Sequence, residues 1–147
     1  MNKTGVKAGD VFLVSVSNAL VVPAMVTHVG KYPLLFSAFS LKAYADSITL
    51  SEAVESLSTE PLWRTVMGPL GFRLLSWPVI GTVEVPKQLR ELPLFNEIEG
   101  LPPMEYDSKT LLPARHVTDI KGREVVEGGL PGHLFIVERL RRLTCGL

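Results

Sequence analysis

The sequence predicts a single α+β domain over residues 1–147, with a mostly antiparallel, strongly curved β-sheet (a partial barrel) and two or three short helices. Three observations predict this class. The first forty residues are rich in β-branched and aromatic side chains and are divided by short turns, as in an antiparallel meander. The helical patterns are short and come later in the chain. A chain of 147 residues can also bury a hydrophobic core of its own.

The N-terminal part of the chain is predicted to form three sequential strands. Ser17-Asn18 predicts the turn of a hairpin between the first two. Pro23, within the second strand, predicts an edge, a bulge or a crossover, because proline has no backbone donor. The strands are expected over residues 11–16, 19–28 and 34–39.

The middle of the chain alternates between helical and strand patterns. Ser51 can cap free backbone amides, which predicts a helix over 51–58. Pro86 is expected at the first position of another short helix. Gly81 is expected to adopt a backbone conformation that a Cβ would strain. Strands are predicted over residues 63–67 and 72–80.

The C-terminal part predicts a hairpin and a helix. Lys121-Gly122 is expected to be the turn of a hairpin over residues 115–127. After a glycine- and proline-rich break, apolar residues at helical spacing predict a helix over 133–143.

The charge of the chain is balanced overall but uneven locally. It has 15 basic and 15 acidic residues, so there is no basic excess to predict nucleic-acid binding. Residues 84–107 carry six acids and two bases, whereas residues 109–147 carry seven bases and four acids. An acidic surface in the middle segment is therefore expected.

The sequence offers no residues for catalysis or for a cofactor. Its three histidines are far apart, with no i, i+4 pair to bind a metal. No nucleophile elbow, phosphate-binding loop or dinucleotide motif is present. Cys145 is the only cysteine, which fits a reducing, cytoplasmic compartment. We expect a protein that is not an enzyme and needs no metal or cofactor.

A segment without charged residues, 11–30, raises the question of a membrane span or a signal peptide. Polar residues and Pro23 interrupt it, so buried β-structure without membrane insertion is expected instead. Of the two tryptophans, Trp77 lies in an apolar run and is predicted to be in the core. Trp63 is also predicted to be in the core, although its neighbours Arg64 and Pro61 indicate a surface margin.

Three short motifs carry a resemblance to a known family. They are Gly9-Asp10-Val11-Phe12 near the N-terminus, Trp77 with Val79-Ile80-Gly81, Val85-Pro86 and Pro93-Leu94-Phe95 in the middle, and Val137-Glu138-Arg139-Leu140 near the end. In this order they resemble the immunity protein 26 family, cytoplasmic antitoxins of bacterial polymorphic-toxin and contact-dependent growth inhibition systems. The matching glycines, prolines and Trp77 are expected to shape the scaffold.

The resemblance implies a protein that binds and neutralises a cognate toxin domain. Many such toxins are nucleases with basic clefts, and an acidic surface would attract them. The candidate toxin-binding residues are Glu97, Glu99, Glu105, Asp107 and Trp63.

Two other functions fit the same sequence. A small-molecule-binding or enzymatic β-barrel would have a pocket between the apolar strands 11–39, with His28 and Tyr32 as its polar groups. A structural subunit would use the high apolar content of the chain to form a homodimer.

Overall fold

The computed structural model describes residues 5–30 and 34–145. Four helices and ten strands form within them. The strands are β1 Asp10–Ser17, β2 Leu20–Val29, β3 Leu35–Ser40, β4 Tyr44–Ala45, β5 Leu62–Met67, β6 Val79–Thr82, β7 Leu94–Asn96, β8 Met104–Tyr106, β9 Pro113–His116 and β10 Val125–Glu127. The helices are α1 Leu50–Thr59, α2 Leu70–Leu74, α3 Lys87–Arg90 and α4 His133–Cys145.

The strands form two sheets. The larger sheet has the order β5-β3-β2-β1-β6, with β4 also pairing with β2, and all of its pairs are antiparallel. The smaller sheet has the order β10-β7-β8-β9, in which β10 and β7 are parallel. The predicted α+β class with a mostly antiparallel sheet is confirmed. Between the described strands β5 and β6 there is no pairing, so the larger sheet stays open and does not close into a barrel.

The β1–β2 hairpin turns one residue later than predicted. Ser17 pairs with Leu20, so Asn18 and Ala19 form the turn, and Ala19 adopts a left-handed φ of 59°. On the side of β2 away from β1, Pro23 lies between two segments that pair with different strands. β4 pairs with β2 up to Val21, and β3 pairs from Ala24 onwards. The missing backbone donor therefore falls in a break of the ladder.

Helix α1 forms where the sequence predicts it, but its cap is Thr49 and not Ser51. The Thr49 hydroxyl accepts a hydrogen bond from the Glu52 amide at 3.2 Å, and the Glu52 carboxylate accepts one from the Thr49 amide at 3.0 Å. This reciprocal pair satisfies two amides that the helix start would otherwise leave free.

The predicted strand over 72–80 is wrong in its first half. Residues 70–74 form helix α2, and only Val79–Thr82 pair with β1. The chain bends because the Trp77 ring turns into the core, where it stacks on Phe12 with 5.7 Å between ring centroids. Gly71 lies beneath that ring, and a Cβ there would overlap it. The extra helix gives four helices where two or three are predicted.

Two glycines of the scaffold motifs are required for different reasons. Gly9 has a φ of +94°, and its carbonyl accepts a hydrogen bond from the Val83 amide at 3.0 Å. Gly81 does not have a positive φ, so the predicted backbone strain is wrong. A Cβ on Gly81 would instead lie 2.5 Å from Leu50 Cδ2, so a larger residue there would displace the Leu50 side chain of α1.

The other scaffold residues hold neighbouring elements together. The Asp10 carboxylate accepts hydrogen bonds from the Thr82 hydroxyl at 2.6 Å and from the Lys7 amide at 3.0 Å. Pro86 is the cap of α3, one residue before the predicted position. Pro93 and Phe95 are buried, and the Phe95 ring packs edge-on against two other aromatic rings.

The predicted hairpin over 115–127 is also wrong, although its turn is present. Lys121 and Gly122 both have a positive φ, and the Arg123 amide donates to the Ile120 carbonyl at 2.8 Å. The flanking strands pair with other partners, because β9 joins β8 and β10 joins β7. Helix α4 covers the predicted range 133–143.

Both faces of the larger sheet are covered. On one face, Ile136 and Leu140 of α4 pack with Trp77 against Phe12 and Phe39. The opposite face packs against α1, α3 and the smaller sheet. Its buried contacts are made by Val11, Met25, Ala38, Ala53, Leu57 and Leu89, and, towards the smaller sheet, by Phe36, Val66, Leu92, Phe95 and Leu111. The predicted core position of Trp77 is confirmed.

A buried arginine ties β5 to the chain that leaves α3. Arg64 is only 4% exposed. Its guanidinium donates to the carbonyls of Glu91 and Leu89, both at 3.1 Å, and forms a salt bridge with Glu124 at 3.2 Å. Burial lowers the pKa of Arg64, and the Glu124 carboxylate opposes that shift. Arg64 thus donates to the carbonyl of Leu89, a buried residue, and to that of Glu91, which is exposed.

His28 connects β2 with the end of α3 through Nε2, and its Nδ1 bonds within β2. Nε2 lies 2.9 Å from the Arg90 carbonyl, which can only accept, so Nε2 carries a proton. Nδ1 lies 2.9 Å from the Thr27 hydroxyl. Burial lowers the pKa of His28 below its ordinary value of 6.5, and the charge of Arg64 acts in the same direction, whereas the bond to the Arg90 carbonyl opposes it.

We expect this histidine to make the fold less stable in mild acid. Because the folded-state pKa lies below the unfolded one, the unfolded chain binds more protons between the two values. The free energy of unfolding is then highest above about pH 6.5 and falls as the pH drops towards the folded-state pKa. Urea unfolding between about pH 5 and pH 8 measures this slope. The variant His28→Gln should flatten it, and an unchanged slope would assign the effect to other groups.

Candidate functional site

Two of the four predicted acidic residues, Glu105 and Asp107, bind charged side chains or backbone amides of the protein itself. Glu105, on β8, forms a salt bridge with Arg115 at 2.8 Å and another with Arg123. The hydrogen bonds from Arg123 and Arg115 lower the pKa of the Glu105 carboxyl. Asp107 accepts hydrogen bonds from the backbone amides of Thr110 and Lys109, both at 2.8 Å, and these bonds lower its pKa. Both carboxylates therefore have structural partners.

Glu97 and Glu99 lie in the exposed loop that follows β7. Glu97 accepts a hydrogen bond from the Tyr106 hydroxyl, and burial of that tyrosine, together with Glu97, raises the pKa of Tyr106. Among the described residues, no basic group lies within salt-bridge distance of Glu97 or Glu99. These two carboxylates remain uncompensated and face the solvent.

The same loop exposes two large apolar side chains that sequence reasoning missed. Ile98 is 57% exposed and Leu101 is 46% exposed. The loop is held by a turn in which the Leu101 amide donates to the Ile98 carbonyl at 3.1 Å, with Gly100 at a φ of +86°. The alternation of acidic and apolar residues in 97–101 is the sequence signal that could have indicated them. We call residues 96–101 the acidic loop.

Trp63 forms one wall of an open cleft beside edge strand β5. Its ring packs on Phe39 at 5.2 Å between centroids, and the Arg139 guanidinium lies 5.4 Å above it. Arg139 also forms a salt bridge with Glu127 at 3.1 Å. The cleft holds about 290 Å³ and is lined by Trp63, Thr65, Glu127, Gly128, Gly129, Pro131, Gly132, Phe135 and Arg139. Trp63 is half-buried, as predicted for a residue at the core margin.

Gly128 joins this cleft to the acidic loop. Its amide donates to the Asn96 carbonyl at 2.8 Å. A Cβ on Gly128 would lie 2.5 Å from Glu97 Cγ, so the loop and the cleft are in direct contact there. The structure therefore brings Glu97 close to the Trp63 cleft, and Glu99 shares the loop with Glu97.

The two polar groups expected to line a pocket of the N-terminal strands are His28 and Tyr32. His28 is bonded to Thr27 and Arg90, and Tyr32 lies outside the described residues. Side chains of β1, β2 and β3 pack into the cores on both faces of the sheet. In the part of the chain that the structure describes, no group of three or more histidine, cysteine or acidic side chains could hold a metal ion.

No helix within residues 5–30 and 34–145 combines the length and apolar character needed to cross a membrane. Comparison of the chain with protein-family models, with curated proteins and with solved structures found no match. The contacts and exposure of its own residues therefore carry the functional argument.

Proposed function

We propose that this protein is a cytoplasmic immunity protein that binds and neutralises a cognate toxin domain by protein–protein contact, without catalysis. The observation that supports this most is the acidic loop, in which Ile98 and Leu101 stand exposed beside two carboxylates without a basic partner. Exposed apolar residues rimmed by polar groups are a common feature of protein–protein interfaces. The three short motifs that resemble the immunity protein 26 family are a second ground for this proposal.

The composition of the loop fits the two tasks of a tight inhibitor. Apolar side chains at the centre of an interface supply most of the binding energy when they are desolvated. Carboxylates around them attract a basic partner and raise the association rate. A toxin that cleaves nucleic acid has a basic cleft, and Glu97 with Glu99 would occupy it where phosphates bind. The Trp63 cleft, adjoining at Gly128, extends the surface.

Charge reversal in the acidic loop is expected to weaken toxin binding without unfolding the protein. The double variant Glu97→Lys with Glu99→Lys should lower the affinity roughly tenfold or more, mainly through slower association. The proposal implies that a toxin domain is encoded beside the gene for this chain, and that domain is the probe. Binding is measured by surface plasmon resonance, and protection by survival of bacteria that express both proteins.

The matched control is Glu55→Lys with Glu60→Lys, which reverses two exposed carboxylates, one in the middle of α1 and one at its C-cap. It changes the net charge equally and should leave both readouts unchanged. Glu105 and Asp107 are unsuitable for this test because their loss breaks two salt bridges or two bonds to backbone amides. Reversal at Glu97 breaks only the hydrogen bond from the Tyr106 hydroxyl, and no bond of the Glu99 side chain is lost. If the wild-type chain gives no protection, the immunity function is wrong. Protection that survives reversal of the loop charges would place the interface elsewhere.

A further inference from the structure

One side of α4 is left uncovered by the fold and has an unusual arrangement of side chains. Ile136 and Leu140 point into the core. The outward residues follow helical spacing and line a shallow groove of about 300 Å³. We call them the α4 stripe, which consists of Phe135, Glu138, Arg139, Arg142 and Leu143.

The α4 stripe is apolar at both ends and charged in the middle. Phe135, at the N-terminal end, is 51% exposed, and Leu143, at the C-terminal end, is 45% exposed. Between them, Glu138 and Arg142 have opposite charges and are bonded to each other at 2.8 Å on the exposed surface. The order along the helix is Phe135 (apolar), Glu138 (acidic), Arg142 (basic) and Leu143 (apolar). A second copy that runs in the opposite direction therefore presents apolar to apolar and acidic to basic side chains.

From this order we propose that the α4 stripe binds a second copy of the chain as an antiparallel helix pair. A two-fold axis near Arg139 places Phe135 of each copy against Leu143 of the other. The same axis leaves Glu138 and Arg142 of the other copy offset by two residues, about 3 Å along the helix. Their long side chains can span this offset, so the intrachain salt bridge is replaced by two intermolecular ones. A two-fold interface requires a surface that is complementary to itself, and the stripe meets that requirement.

The residue nearest to the axis does not oppose this pairing. Two Arg139 side chains would approach each other there, but each has its charge balanced within its own chain. Glu127 holds the guanidinium at 3.1 Å, and the Trp63 ring lies beneath it at 5.4 Å. A balanced and stacked arginine can pack against its counterpart without leaving a net charge in the interface.

The predicted complex is weak because one short helix contributes the contact on each side. An interface of this kind falls below the usual size of a stable complex. We therefore expect a monomer–dimer equilibrium with a dissociation constant of about 10 to 100 μM. The stripe shares Phe135 and Arg139 with the Trp63 cleft, so the two proposed surfaces meet there. The inference does not rest on the proposed function, because association of the chain with itself is measured without a toxin.

Sedimentation equilibrium of the full chain tests the proposal directly. The wild type should show a reversible dimer, and Phe135→Glu should weaken association at least about tenfold. Leu74→Glu, at an exposed apolar position of α2, is the matched control and should leave association unchanged. All of these positions are exposed, and circular dichroism verifies that each variant is folded.

A mixture of two charge-swapped variants tests whether the two α4 helices pair antiparallel with Glu138 facing Arg142. Glu138→Arg alone and Arg142→Glu alone should each associate more weakly than the wild type, because like charges then face each other. Mixed in equal amounts, the two variants should form a heterodimer. In that pair, positions 138 and 142 are both basic on one chain and face two acidic positions on the other.

Three results would overturn the proposal. They are a wild type that stays monomeric, a dimer that is insensitive to Phe135→Glu, and a mixture of the two charge variants without heterodimers. If the wild type is monomeric and Phe135→Glu reduces toxin binding, the stripe belongs to the toxin interface instead.

Discussion

Replacing Gly9 with alanine is expected to lower the free energy of unfolding by about 3 kcal/mol or more. Gly9 has a φ of +94°, which side chains other than glycine adopt only with strain. In addition, its new Cβ would overlap the carbonyl oxygen of Val83. The backbone cannot move away easily, because the Gly9 amide donates to the Val26 carbonyl at 2.8 Å and its own carbonyl holds the Val83 amide.

Gly5 provides a matched control for this prediction. Gly5 also has a positive φ, +74°, but no atom lies within 4 Å of the position that a Cβ would take. Gly5→Ala should therefore show only the backbone strain, about 1 kcal/mol. Urea unfolding of the two variants separates strain from steric overlap. Equal losses would mean that the Val83 strand moves aside and that the overlap costs nothing.

Replacing Arg64 with alanine is expected to destabilise the protein by about 3 to 5 kcal/mol. The substitution removes the donors for the Leu89 and Glu91 carbonyls and leaves a cavity where the side chain was buried. It also separates edge strand β5 from the chain that follows α3. Chemical denaturation measures the loss, and the change should be largest among the arginines of this protein.

Two further variants show which property of Arg64 matters. Arg64→Met keeps much of the volume but not the hydrogen bonds, and should lose less stability than Arg64→Ala. Arg115→Ala removes an exposed salt bridge to Glu105 and should cost less than about 1 kcal/mol. If Arg64→Ala behaves like Arg115→Ala, the bonds of the buried guanidinium contribute nothing net to the fold.

Local sequence patterns predicted the elements whose contacts are local. The strands β1, β2 and β3 follow one another through short connections, so runs of apolar residues and turn signals were sufficient to place them. Helix α4 was found because its apolar residues repeat at helical spacing. The strand expected over 72–80 failed because a short apolar run has no period of its own, and contacts of Trp77 with Phe12 and Gly71 decide its shape.

Local sequence patterns also predicted only part of the candidate site. Trp63, Glu97 and Glu99 were predicted to face a partner, and the structure leaves the two carboxylates exposed and Trp63 at the edge of a cleft. The use of Glu105 could not be predicted, because its partner Arg123 lies 18 residues further along a chain segment that was expected to be a hairpin. Ile98 and Leu101 were missed because apolar residues in a predicted loop are usually assigned no role.

The position of α4 in the chain has a consequence for synthesis of the protein. The Arg141 side chain donates to the Val16 carbonyl at 2.7 Å across 125 residues, and α4 covers the sheet face that contains Phe12 and Val14. A ribosome makes β1 and β2 before it makes α4, so this apolar face stays open until α4 has been synthesised. Exposed apolar surface of this kind makes a nascent chain prone to aggregate. Synthesis of α4 is therefore the step that allows this face of the sheet to be covered.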